Sequence, residues 1–216
     1  MVPCTPRAIT EAVRSFCRGV AAGSQPVYLD ARPVPGAAPD DCFAVVARRV
    51  ALRGGERVLG WQIWEHPGLM IEAEFHAVWR DPSGRLADIT PKPEGISSIL
   101  FLPDPSRSYE GRQVNNIREP LWDTPEVREF IAAADARFEF MDRDERSYQH
   151  GKIVLRGRDR DEWMGLLRRS QFASVDVMQA VTDRQDEAPP ASAPRKHQHA
   201  DARSRNAKKR ARRAQR

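Results

Sequence analysis

Cysteine is scarce. Only Cys4, Cys17 and Cys42 occur among the 216 residues, and none stands at a C-x-x-C spacing. Three such thiols build neither a disulfide framework nor a zinc knuckle, so each is read as a single thiol. Long apolar runs are missing as well: none reaches eighteen residues, and Met1–Pro6 opens without a charged segment leading into an apolar one. A membrane span and a secretory leader are therefore not expected, and a soluble cytoplasmic protein of bacterial type is. No internal repeat is present. What is there suffices for a core: a hydrophobic fraction of 40% with five Trp and eight Phe excludes a wholly disordered chain.

The formal net charge of +5 conceals two populations. Of the 35 basic and 30 acidic side chains, residues 195–216 hold ten basic against the single acid Asp201, which leaves 25 basic and 29 acidic in the remainder. The body is mildly acidic and the basicity belongs to a tail. Nucleic-acid binding, if any, is thereby assigned to residues 195–216, where Lys and Arg would neutralise phosphates without reading sequence. The body carries no signature of an RNA- or DNA-binding fold.

Along the chain, Thr5-Pro6 reads as a cap and first helical residue, with Ile9, Val13, Phe16, Cys17 and Val20 at helical spacing up to about Gly19. Val27-Tyr28-Leu29 is a short apolar run. Asp40-Asp41 then read as the acidic N-terminal cap of an apolar helix from Cys42 to Leu52, stopped by Gly54-Gly55. Strand patterns cover Arg57–Trp64, Met70–Trp79 and Arg85–Thr90, and a further apolar run covers Ile99–Leu102. Thr124-Pro125 opens another capped helix, Lys152–Leu155 is read as a last strand, and Arg160–Val181 as helix with a break near Gln171. The expected architecture is α+β, an antiparallel sheet flanked by helices over residues 1–183, followed by a disordered basic tail over 184–216.

Chemistry concentrates at three positions. Cys42 lies at a helix N-terminus, where peptide dipoles and unpaired N–H groups favour a thiolate and can hold an oxyanion. His76 lies in a strand whose alternation puts Ile71, Ala73, Phe75, Ala77 and Trp79 on an apolar face and Glu72, Glu74, His76 and Val78 on the other. The turn Asp81-Pro82-Ser83-Gly84 suits a three-residue loop with glycine at the left-handed position. That loop sets Asp81 opposite Arg85, Val78 opposite Asp88 and His76 opposite Thr90, so Asp88 falls on the face of His76. A thiol, an imidazole to take its proton and an acid to orient the imidazole make a nucleophilic triad, Cys42, His76 and Asp88.

The order of a helix-borne Cys42, a strand with His76-Ala77-Val78-Trp79 and a strand with Asp88-Ile89-Thr90-Pro91 resembles the core of the transglutaminase-like branch of the papain-like fold. The stretches Gly60–Glu65, Glu72–Trp79, Asp88–Pro91 and Ile99–Asp104 also resemble a group of bacterial and phage proteins that often end in a SEC-C zinc motif. The resemblance spans roughly Asp41 to Asp104. It implies Cys42 as nucleophile, His76 as base and Asp88 as orienter, in a thiol hydrolase or acyltransferase acting on a peptide or small-molecule acyl substrate. No cysteine-rich motif follows here, only the basic tail, and no cofactor or metal is expected. The alternative is a catalytically silent binding protein that uses the tail on nucleic acid or another acidic partner.

Other readings compete locally. Glu72, Glu74 and His76 share donor types that suit a divalent metal, although alternating charges on a strand face are usually just solvated. Gln62 and Gln25 are both candidates for an oxyanion-hole amide. Asn115, Asn116 and Arg118 are read as turn hydrogen-bonders, Trp61, Trp64 and Trp79 as core, and His197-Gln198-His199 as too short for a metal site.

Overall fold

A computed structural model of the chain describes residues 2–39, 41–149 and 153–187. It is α+β, as the alternation of periods requires. Helix α1 (Glu11–Val20) and strand β1 (Val27–Asp30) come first, then helix α2 (Cys42–Arg53). The strands β2 (Glu56–His66), β3 (Met70–Arg80), β4 (Leu86–Ala87), β5 (Ser98–Pro103) and β6 (Ile117–Pro120) follow, then the helices α3 (Pro125–Met141) and α4 (Gly157–Glu187). The chain divides into two units, Met1–Ala180 and Val181–Arg216; of the second, residues 181–187 are described and helical. The tail 195–216 and the His197-Gln198-His199 group lie outside the described residues. No described helix is long and apolar enough to cross a membrane.

All pairings between the named strands are antiparallel, in the order β1-β5-β2-β3-β4, with β6 on the far end of β3. The ends of that order meet: a parallel bridge joins Ala31, just after β1, to Asp88, just after β4. The sheet is thus curled. Leu29, Val58, Val78, Leu86, Ile99 and Phe101, one or two from each of the strands β1 to β5, cluster together on the enclosed side. The opposite side of β2, β3 and β5 presents Trp61, Ile63, Ile71, Ala73, Phe75, Leu100 and Leu102 to Val13, Phe16 and Cys17 of α1. Ala77, Ala87 and Ile89 pack under Cys42 and Val46 of α2. Curling the sheet requires close backbone approach, and Gly60 permits it. A Cβ there would lie 2.3 Å from the Leu102 carbonyl oxygen and 2.9 Å from Pro103 Cα.

Several expectations are corrected. Helix α1 starts at Thr10, whose hydroxyl accepts from Val13 N at 3.3 Å, not at Thr5-Pro6. The Thr5 hydroxyl is engaged elsewhere, donating to the Ser98 carbonyl at 2.8 Å, while Cys4 exchanges backbone hydrogen bonds with Glu65. Residues 153–156 form no strand, Lys152 lies outside the described residues, and α4 runs through Gln171 without a break. Arg118 is not in a polar turn but in β6, paired with Glu72 of β3. The Thr124-Pro125 cap forms as expected, with Thr124 accepting from Val127 N. Gly54-Gly55 stops α2 with φ of +70° and +82°, values that only glycine adopts easily.

Candidate active site

The β3–β4 register follows from turn chemistry. Asp81 Oδ1 accepts from Ser83 N at 2.9 Å and Arg85 N at 3.0 Å, and Asp81 N donates to the Arg85 carbonyl at 2.9 Å. That locks Arg80 opposite Leu86 and Trp79 opposite Ala87, the register of a three-residue loop. The ladder then ends. Asp88 turns away to β1, donating from its N to Asp30 O at 3.2 Å and accepting at its O from Arg32 N at 2.7 Å. On the other flank β6 takes up only Met70–Ala73 of β3. Residues 74–78, with His76 in their centre, therefore have β2 as their one strand partner among the described residues.

Into this stretch the three chemistry-bearing side chains converge. His76 Nε2 lies 3.3 Å from Asp88 Oδ1, with both side chains buried. Cys42, the first residue of α2 and itself buried, interacts with the same imidazole closely enough to favour its charged form. Thr90 N fixes the carboxylate by donating to Asp88 Oδ1 at 3.0 Å. Phe43, next to Cys42, stacks on Tyr109 with ring centroids 3.6 Å apart and tilts against Phe75 at 5.4 Å, which pins the start of α2. Asp41 occupies the N-cap position, but its side chain makes no capping hydrogen bond, contrary to the expected acidic cap; Asp40 lies outside the described residues.

A fourth member was not anticipated. Lys92, only 8% exposed, places Nζ 2.7 Å from Asp88 Oδ2, 2.7 Å from Gln62 Oε1 and 3.5 Å from His76 Nε2. A buried ammonium needs a carboxylate, and Asp88 serves both it and the ring. The sequence signal was the spacing Asp88-x-x-x-Lys92, masked because a lysine after Pro91 reads as an exposed loop residue. Gln62 is the buried amide of the two suggested, and its oxygen is taken by Lys92; Gln25 is exposed.

The electrostatics follow from these contacts. Burial disfavours the charged form of His76, and Lys92 works the same way, but the interactions with Asp88 and Cys42 outweigh both and push the imidazole up to about 9. Burial likewise opposes the Asp88 charge, yet the ring and the ammonium hold its carboxyl well below the usual carboxylate range. Burial pushes Cys17 up to about 11, so the second buried thiol is inert.

No family model, curated protein or solved structure matches this chain.

The competing metal set dissolves. Trp64 Nε1 donates to Glu74 at 2.6 Å, and Glu72 accepts from Arg118 Nε at 3.1 Å and Asn116 Nδ2 at 3.3 Å while facing His66 at 3.6 Å. Among the described residues no group of three His, Cys, Asp or Glu side chains is placed to hold a metal. Nor is the face of Glu72, Glu74, His76 and Val78 open to solvent: His76 and Val78 are buried, and Glu72 and Glu74 are half-buried. Trp61 and Trp64 are core, and the Trp61 ring N–H donates to buried Asp104 at 2.9 Å; Trp79 is only half-buried, its N–H on the Gly54 carbonyl.

Proposed function

We propose that this chain is a cysteine-dependent hydrolase or acyltransferase with a transglutaminase-like, papain-like core. The observation that carries the reading is the buried imidazole of His76, which meets Asp88 Oδ1 at 3.3 Å and interacts with Cys42 at the start of α2. With Nε2 directed at Asp88, Nδ1 is left for the sulfur. His76 takes the thiol proton, and Sγ attacks the carbonyl carbon of an amide or ester. The carbonyl π pair moves to oxygen, beside the first N–H groups of α2. Collapse reforms the carbonyl and breaks the bond to the leaving amine or alcohol, which receives the proton from His76. Water or a second nucleophile then releases the acyl group from sulfur. Asp88 stabilises the imidazolium and holds the ring.

The test is alkylation of Cys42 by iodoacetamide, read by mass spectrometry at pH 7 in the intact protein and in His76→Ala. We expect Cys42 to label about tenfold or more faster in the intact protein. Cys17 serves as the internal slow control. Equal rates in the two proteins would sink the triad.

A second reading keeps the fold but not the catalysis: a binding protein whose ten basic residues at 195–216 contact nucleic acid or another acidic partner. The charge separation between tail and body is what favours it.

A further inference from the structure

Beside the N-terminus of α2 runs a groove of about 390 Å³, walled on one side by α2 and on the other by residues 34–38. The α2 wall is one helical face: Asp41, Val45, Arg48, Arg49, Leu52 and Arg53 recur at intervals of three and four residues. It starts at the residue preceding Cys42 and ends at the last turn of the helix. Arg48 and Arg53 are exposed and make no ion pair with a described residue, and the Arg49 guanidinium lies over the Trp79 ring at 5.2 Å. Asp41, the one acid of the lining among the described residues, is at the thiol end. Three guanidiniums, none in an ion pair with a described residue and outnumbering Asp41 along one groove, create a field for anionic side chains. The facing wall, Val34-Pro35-Gly36-Ala37-Ala38, is uncharged, and Leu52, 73% exposed, adds apolar surface with Val45. A ligand that matches needs carboxylates and apolar groups alternating along an extended backbone, which a peptide supplies and a phosphate backbone does not.

We propose that this groove is the substrate channel of the Cys42 site and takes an extended acidic peptide; the assignment rests on the catalytic reading above. Along α2, Arg48 and Arg53 stand about 9 Å and about 16 Å from Cys42 at 1.5 Å per residue. At about 3.3 Å per residue of extended peptide, they meet side chains roughly three and five positions from the carbonyl attacked. Asp41 disfavours a carboxylate immediately beside that carbonyl.

The experiment titrates the full chain with a short fluorescein-labelled peptide of Glu, Leu and Ala, and with its Gln counterpart, by fluorescence anisotropy. We expect binding of the acidic peptide to weaken about tenfold in Arg48→Glu/Arg53→Glu and to fall with added salt. A Lys version of the peptide should bind that charge-reversed protein better than the intact one, which excludes misfolding as the cause. The acidic peptide should also slow carboxymethylation of Cys42 in the intact protein. Unchanged affinity in Arg48→Glu/Arg53→Glu, or a loss seen only when Lys208, Lys209 and Arg210 are changed to Gln, overturns the groove. Binding without protection of Cys42 overturns its role as a channel. A single-stranded oligonucleotide that outcompetes the peptide and loses affinity in the same variant overturns it in favour of nucleic acid. The catalytic reading fails separately, on the His76→Ala comparison, whatever the peptide does.

Discussion

His76 shows how far a buried contact set can move one group. A neutral imidazole is the ordinary fate of a buried histidine, yet here a carboxylate and a thiol reverse the balance while Lys92 restrains it. The pH dependence has a definite sign. Because the folded protein binds the His76 proton more tightly than the unfolded chain, the stability this gives is whole below about pH 6.5 and is lost as pH rises through about 9. Denaturant unfolding of the intact protein and of His76→Gln should therefore converge between pH 6 and pH 9.5, by on the order of 2–3 kcal/mol. A gap that stays constant across that range would mean that the ring is neutral throughout. Lys92 belongs to the same account: the ammonium and the imidazolium share one carboxylate, so Asp88 holds two cations in place at once.

At the scale of elements, the site depends on where strands stop. β3 extends past both β4 and β6, and the uncovered middle is where Cys42 reaches His76. The curl that brings β1 to Asp88 depends on the β2–β5 approach at Gly60. We expect Gly60→Ala to cost about 2–3 kcal/mol in urea denaturation, since its methyl group meets the backbone of Leu102 and Pro103 as well as the buried Phe101 ring. The same substitution should slow Cys42 alkylation. A stable variant with unchanged labelling would show that the sheet tolerates a wider spacing. A second, partly buried chain of contacts, His66–Glu72–Arg118–Asp135, ties β2, β3, β6 and α3 together. Burial works against the Glu72 charge, but His66 and Arg118 hold its carboxyl below the usual range.

For the whole molecule, charge is the quantity that separates tail from body. If the tail neutralises phosphates, affinity for single-stranded DNA should fall steeply and linearly on a log–log plot against salt, with a slope of roughly −0.7 per phosphate contacted. Changing Lys208, Lys209 and Arg210 to Gln should reduce the slope by about two units. A slope that does not change with those substitutions would place nucleic-acid binding, if it occurs, on the body. The acidic-peptide groove and the basic tail make opposite demands on such variants, so the two are separable in one set of proteins.

Local chemistry was legible in the residues themselves. The Thr124-Pro125 cap, the glycine stop after α2 and the three-residue loop at Asp81–Gly84 each rest on contacts within a few positions, and the β3–β4 register at Trp79–Ala87 came with them, whereas the expected pairs Val78–Asp88 and His76–Thr90 do not form. The first helix was misplaced because Thr5 and Thr10 look alike as caps until the Ser98 carbonyl, far along the chain, claims the Thr5 hydroxyl. Burial of the Glu72–Val78 face, the escape of Asp88 to β1 and the arrival of Lys92 depend on the sheet curling until its ends meet. Alternation of apolar and polar residues tells which side chains share a face, and only tertiary closure decides whether that face meets water.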